Sequence, residues 1–212
     1  MSTTPKTQKR TKEAVPAEPE PTVRISSSDL KRTLTNAMLF ASADQSRPVL
    51  NTVRLGTDGT TLTAESTDSY LMFRESVKLR GSQAEYQELL LSLVNVRVLN
   101  AAIDQGQEIQ LFFEADEVRA VVDKILSVTL PTANGKYPAT DDIRNGWKPG
   151  RDIYEFAFGP KLLAKVTKIK VYGFTPYLKF TLGEDESKPI RVTVGKDIEV
   201  LIMPGRLSAV RL

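Results

Sequence analysis

Residues 49–79 read VLNTVRLGTDGTTLTAESTDSYLMFRESVKL, and this stretch decides the fold. Val49 to Leu55 has the β-branched and aliphatic content of a strand, Asp58-Gly59 is a hairpin turn, and Thr61 to Glu65 returns antiparallel. Thr67-Asp68 breaks the run before a third strand from Tyr70 to Leu79. Upstream, Val23 to Ile25 reads as a short strand. Ser28 or Asp29 then caps a helix that continues through Leu34 and Met38. The unit is strand, helix, then three strands.

The same order occurs twice more. Tyr86 to Leu91 is a strand, a helix follows from Val94 to Ile103 and stops near Gly106, and strands run over Glu108–Glu114, Val118–Val122 and Ile125–Leu130. Asn134-Gly135 turns the chain into Tyr137-Pro138, and Gly146-Trp147-Lys148-Pro149-Gly150 has linker composition. The third unit has a strand over Ile153–Phe158, a helix opened by Pro160, and strands over Tyr177–Leu182, Ile190–Val194 and Glu199–Met203. The units repeat in pattern, not in residues. Short antiparallel strands need a cover on one face, so the expected class is α+β with helices packed on one side of antiparallel sheets. Residues 1–22, which mix Pro, Lys and Glu with almost nothing to bury, are expected to form a disordered, solubilising tail.

Composition removes much of enzymology. The 212 residues include no His and no Cys, so there is no imidazole base, no thiolate nucleophile and no His- or Cys-based metal site. Gly135-Lys136 leads into Tyr137 and Gly195-Lys196 into Asp197, neither of which is a phosphate-binding loop. Asp141-Asp142 and Glu184-Asp185-Glu186 fall in expected turns without a spaced acidic partner. No cofactor and no catalytic residue is expected. With 29 Lys plus Arg against 26 Asp plus Glu, the net charge is +3, so the placement of charge matters more than its sum. The N-terminus has no apolar signal core and no run spans a bilayer, so a cytoplasmic location without membrane contact is expected.

Four short motifs in order carry a resemblance: Ser46-Arg47-Pro48-Val49-Leu50, Ala64-Glu65-Ser66-Thr67-Asp68-Ser69-Tyr70, Lys136-Tyr137-Pro138 and Met203-Pro204-Gly205-Arg206-Leu207. Set within the strand-helix-three-strand repeat, they resemble the bacterial β sliding clamp, the β subunit of DNA polymerase III. The resemblance runs over about residues 23–207 and implies a DNA-clamp fold. Residues 23–146 are similar to the family's middle domain of two units. Residues 147–212 are similar to the second half of its last domain, a single unit. A family protomer has six such units and this chain has three. Four chains would supply the units of the family's ring, so the resemblance implies a homo-oligomer and makes a tetramer the working hypothesis. A compact clamp of this kind fits a phage-encoded replication protein.

Two surfaces follow. Lys161, Lys165 and Lys168 share one face of the third helix at i, i+4, i+7, beside an apolar stripe of Leu162, Val166 and Ile169. No acid lies between Glu155 and Glu184, so these lysines lack a local partner. Periodicity alone describes a solvated lysine face. The resemblance makes it a channel surface that meets duplex DNA through phosphates, without sequence preference. Lys31 and Arg32 on the first helix and Arg97 on the second are the corresponding candidates.

The second surface is a groove for short partner peptides. The resemblance places its lining at Leu50, Thr67, Ser69, Tyr70, Met72, Pro138, Ile143, Met203 and Pro204, an apolar floor with hydroxyls at the rim. Core packing is the competing account of Leu50 and Met72. Ser69 replaces the family's usual Gly, Gly205 replaces the second Met of the terminal motif, and Ser208 to Leu212 extend past the usual end. The expected function is a non-enzymatic processivity factor that tethers a DNA polymerase to duplex DNA and is served by a clamp loader through peptide motifs. The alternative is a non-encircling clamp-fold accessory or decoy that binds the polymerase or a host clamp's partners.

Overall fold

Ser26 sets the first helix. Its Oγ accepts a hydrogen bond from the Asp29 amide at 3.2 Å and donates to the Asp29 carboxylate at 2.6 Å, so the cap lies two residues before the expected Ser28. The computed structural model describes residues 20–80, 86–103, 107–150, 156–172, 177–185 and 187–205. Strand β1 (Val23–Ser26) runs into helix α1 (Ser27–Phe40), followed by β2 (Thr52–Thr57), β3 (Thr61–Thr67) and β4 (Leu71–Lys78). Next come β5 (Gln87–Ser92), α2 (Leu93–Ala102), β6 (Glu108–Phe113), β7 (Glu117–Val122) and β8 (Leu126–Pro131). Helices α3 (Thr140–Gly146) and α4 (Pro160–Val166) precede β9 (Leu178–Thr181), β10 (Ile190–Val194) and β11 (Ile198–Ile202). The expected tail lies outside the described residues up to residue 19, as do the helix stop near Gly106 and residues 153–155 of the expected strand Ile153–Phe158, whose other half forms only an isolated bridge at Ala157.

The strands form two antiparallel sheets, one ordered β1-β6-β7-β8 and the other β5-β2-β3-β4-β11-β10-β9. The first strand of each of the first two units joins the other unit's sheet. β1 pairs with β6 through Arg24↔Gln110, and β5 pairs with β2 through Leu90↔Arg54. The third unit continues the larger sheet where β11 pairs antiparallel with β4, register Leu201↔Met72. α1 lies across β3 and β4 and packs on α2, burying Leu30, Leu34, Ala37 and Phe40. Phe40 stacks on Phe73 with ring centroids 4.9 Å apart. The expected α+β class with antiparallel sheets is the observed architecture, but the helices do not all share one side: α1 and α2 lie on one face, whereas α3 is bonded to the opposite face of the larger sheet through Asp141.

Three local readings need correction. Pro48–Asn51 is a 3-10 turn, so the expected strand from Val49 begins only at Thr52; Pro48 sits at its start, where its missing N–H costs nothing. Asp141-Asp142 lie in helix α3, not in a turn; Ala139 supplies no side-chain cap, so the usual sequence signal of a helix start is lacking. α4 ends at Val166, and Lys168 falls in the following turn, its amide bonded to the Lys165 carbonyl at 3.1 Å. The lysines therefore do not lie on one continuous helix.

Glu75 anchors the helical side of the larger sheet. Its fully buried carboxylate on β4 accepts from Arg32 Nε at 2.8 Å, Thr33 Oγ1 at 3.0 Å and Asn36 Nδ2 at 3.0 Å, all on α1. Asn36 also donates to the Lys170 carbonyl and accepts from the Lys170 amide at 2.8 Å, which ties the third unit to the first. Removing one partner of such a buried pair leaves the others unsatisfied. Glu75→Ala should destabilise the fold by about 3–5 kcal/mol in chemical denaturation. A loss below the error of the measurement would show that α1 is held by apolar packing alone.

The Asp58-Gly59 turn supplies a pH-dependent term. Asp58 accepts from the Thr60 and Thr61 amides at 2.8 and 2.7 Å, and these bonds hold its pKa at about 2; Gly59 supplies the positive φ of 84°. A carboxyl whose folded pKa is depressed stabilises the fold above its unfolded value and loses that contribution as pH falls through the folded one. Asp58→Ala should lower the melting temperature at pH 7, and the gap from the parent should narrow between about pH 4 and pH 2.

Candidate functional site

The six expected DNA-facing cations divide into two groups. Lys31 donates to the Ile103 carbonyl at 3.2 Å, tying α1 to the end of α2. Arg32 is held by Glu75 and by Asp29 at 3.0 Å, with its guanidinium 5.6 Å from the Tyr172 ring centre. Lys165 donates to Asp68 at 2.6 Å. Its partner sits in the β3–β4 turn, far outside the local window in which no acid was found, and this corrects the expectation of an unpaired lysine face. Arg97, Lys161 and Lys168 are exposed and have no ion-pair partner among the described residues.

Of the expected groove residues, Thr67, Tyr70, Met72 and Met203 are brought together around the β3–β4 turn and β11. Alternation along β4 and β11 sends Phe73 and Val200 into the helical core, and Met72 and Leu201 to the opposite side, where both are buried. Thr67 pairs with Met72 in the register, and its hydroxyl bonds the Leu71 carbonyl at 2.7 Å. The Met203 amide donates to the Tyr70 carbonyl at 2.9 Å, which brings the terminal motif beside the β3–β4 turn. Ser69 adopts φ +79°, a conformation that suits Gly, and accepts from Arg47 at 3.2 Å. Tyr70, Ile143 and Met203 are exposed apolar side chains, at 64%, 50% and 40%. Leu50 and Pro138 are half-buried, as is Pro204.

Ile143 and Met203 line a cleft of about 390 Å³ with Trp147, Lys148, Lys188 and Pro189. Trp147, Pro189 and the buried Leu201 were not among the expected groove residues. Trp147 carried a signal, as the only Trp in the chain. Its indole N–H donates to the Pro189 carbonyl at 2.8 Å, and Arg191 lies 3.8 Å over its ring.

Charge positions the wall that carries Ile143. Arg54, Glu65, Arg74 and Glu199 stand in register across β2, β3, β4 and β11, alternating in sign. Buried Glu65 pairs with Arg54 and Arg74, and α3 is set onto this row by Asp141, which pairs with Arg54 at 2.9 Å, Arg74 at 3.1 Å and Arg144 at 3.1 Å. Thr140 adds a bond to Glu65 at 3.0 Å. Burial works against the charged form of Asp141, yet the arginines hold its carboxyl below its ordinary value. Burial raises the Tyr137 hydroxyl well above the usual phenol range, with Glu65 adding to it. Arg54 lies 5.1 Å from the Tyr137 ring centre.

Residues 24–139 match the family model of the DNA polymerase III beta subunit, central domain. The chain belongs to this family. Its members are non-catalytic clamp subunits. Among solved structures, the DNA polymerase sliding clamp from Bacillus subtilis is similar at 15% identity with a TM-score of 0.73, covering 92% of this chain and 67% of that one. The DNA polymerase III beta subunit from Thermotoga maritima gives 15% identity, a TM-score of 0.73 and coverages of 92% and 68%. The corresponding subunit from Pseudomonas aeruginosa gives 16%, 0.69, 92% and 69%. These likenesses extend the clamp fold beyond the central domain, and the chain spans about two thirds of each relative. No curated protein sequence matches. No helix among the described residues is long and apolar enough to cross a membrane.

Asp141 is the residue through which the sheet holds α3. Asp141→Ala should loosen that helix, shift Trp147 emission to the red, and lower the melting temperature by about 2–4 °C. Unchanged emission would show that the Trp147 wall stands without the charge row.

Proposed function

We propose that the protein is a shortened sliding clamp that tethers a DNA polymerase to duplex DNA as a homo-oligomeric ring, with the tetramer as its stoichiometry. Residues 23–146 serve as a complete clamp domain and residues 147–212 as half of another. The observation that carries the reading is the junction of the third unit with the central domain. It sets Met203 beside Tyr70 and Leu201 beside Met72, so both sides of a partner-peptide groove come from this one chain. Polymerase and clamp loader dock there through short apolar motifs, with Ile143 and Trp147 as one wall and the Met side chains as an adaptable floor. Arg97, Lys161 and Lys168 supply mobile positive charge toward phosphates, whereas Arg32, Lys31 and Lys165 contribute to the field while fixing the fold. Weak, salt-sensitive contacts of this kind permit sliding.

The engagement of Lys31, Arg32 and Lys165 within the fold favours a second reading, a non-encircling accessory or decoy that uses only the groove. Retention on DNA separates the two. A clamp assembled with its polymerase and a loader should stay on closed circular duplex through gel filtration and be lost when the circle is cut. Equal behaviour on circular and linear DNA would reject encirclement. Arg97→Ala, Lys161→Ala and Lys168→Ala together should weaken DNA association by about tenfold near physiological salt and flatten its salt dependence, with the melting temperature unchanged. DNA association equal to the parent's would remove these residues from the DNA surface.

A further inference from the structure

The β3–β4 turn at the rim of the groove is built around one carboxylate. Asp68 Oδ1 accepts from the Tyr70 and Leu71 amides at 3.0 and 2.9 Å, while its Oδ2 accepts from Lys165 Nζ at 2.6 Å. Thr67 closes the turn from inside: its hydroxyl donates to the Leu71 carbonyl at 2.7 Å and accepts from the Ser69 amide at 3.2 Å. Between them Ser69 stands at φ +79°, where its side chain opposes the backbone and Gly would not. This turn therefore leans on its hydrogen bonds more than a Gly-bearing turn would. What it holds faces the groove. Tyr70 is 64% exposed, and its carbonyl accepts from the Met203 amide at 2.9 Å, the bond that brings the terminal motif to the rim.

Lys165 reaches the turn from the helical side. α4 and the residues after it belong to that side: Val166 and Ile169 join the core with Val192 and Val200, and the Lys170 backbone bonds Asn36 of α1. The Asp68 side chain is only 13% exposed, against 34% for Lys165. A carboxylate covered to this degree needs its cation, because removing the ammonium leaves a charge that water reaches poorly. Lys161 and Lys168, the neighbours that sequence spacing grouped with Lys165, have no such partner among the described residues. One of the three lysines is thus committed to the turn, and the other two are not.

We infer that Lys165 is a positioning residue for the peptide groove, acting through Asp68. The connection runs from Lys165 Nζ to the Asp68 carboxylate, through the Tyr70 and Leu71 amides, and from the Tyr70 carbonyl to the Met203 amide. The shape of the rim between Tyr70 and Met203 then depends on a helix residue outside the groove's own lining. The inference rests on the groove reading in naming what the turn presents. The connection itself can be tested without it.

Two substitutions isolate the ion pair. Lys165→Met keeps the aliphatic stem and removes the charge, and Asp68→Asn keeps an acceptor for the two amides and loses the charge. Amide hydrogen exchange resolved to single residues should rise about fivefold at Tyr70, Leu71 and Met203 in either variant, with no further rise when both are combined. Exchange at Phe73 and Val200 should stay at the parent's rate, and Lys165→Arg should restore the turn. Parent-like exchange in Lys165→Met, additive effects in the double variant, or an equal rise at Phe73 and Val200 would each overturn the inference. The capped dipeptide acetyl-Leu-Leu-amide, followed at the Met203 amide, probes the groove itself. Lys165→Met should bind it about fivefold more weakly than the parent, and Lys165→Arg should bind it as the parent does. Equal affinity in Lys165→Met would remove Lys165 from the groove. A parent that shows the exchange response but takes up no dipeptide keeps the connection and loses the groove reading. A parent that binds the dipeptide while Lys165→Met leaves exchange unchanged does the reverse.

Discussion

Exchange of first strands between units is the constraint on which the rest of this molecule depends. A three-stranded meander with a helix on one face leaves its first strand's edge open, and an open edge seeks pairing. β1 and β5 meet that need for the first two units by crossing into each other's sheets. The crossing makes the central domain cooperative, because neither unit's sheet is complete without the other. It also sets α1 beside α2, so both helices cover one continuous side. The third unit joins this arrangement through β11, which extends the larger sheet at β4.

The larger sheet is held differently on its two faces. On the helical face, Glu75 gathers Arg32, Thr33 and Asn36 of α1, and Asn36 passes the connection on to Lys170. On the other face, the alternating charges from Arg54 to Glu199 receive Asp141 and seat α3. Both networks lie on β4, the strand that also pairs with β11. The junction between central domain and third unit is thus braced from above and below. That bracing gives the Met72, Leu201 and Met203 region a defined shape, which an apolar groove needs if it is to select peptides by shape and not only by hydrophobicity.

The element order was legible in the sequence because the strands are β-branched or aliphatic runs bounded by turn residues, Asp58-Gly59 above all. The four motifs pointed to the family whose central domain residues 24–139 match. Which sheet a strand joins was not legible: β1 and β5 have the same alternation whichever unit they pair with. Lys165 was read as unpaired because its partner Asp68 comes from another unit, and no local window contains it. Arg32 was read as a surface cation because nothing along α1 announces a buried Glu75 opposite it. α3 was missed because it is seven residues long and begins without a side-chain cap, so it forms only on the charge row beneath it. Leu201 was missed because a strand buried on both faces gives no alternation to assign.

The solution mass of the intact chain, measured by light scattering from micromolar to tens of micromolar without DNA, tests the central claim most directly. The proposed ring predicts a stable homo-oligomer, at four times the 23.5 kDa chain mass for the tetramer. A single species at the mass of one chain throughout would contradict it and favour the non-encircling reading.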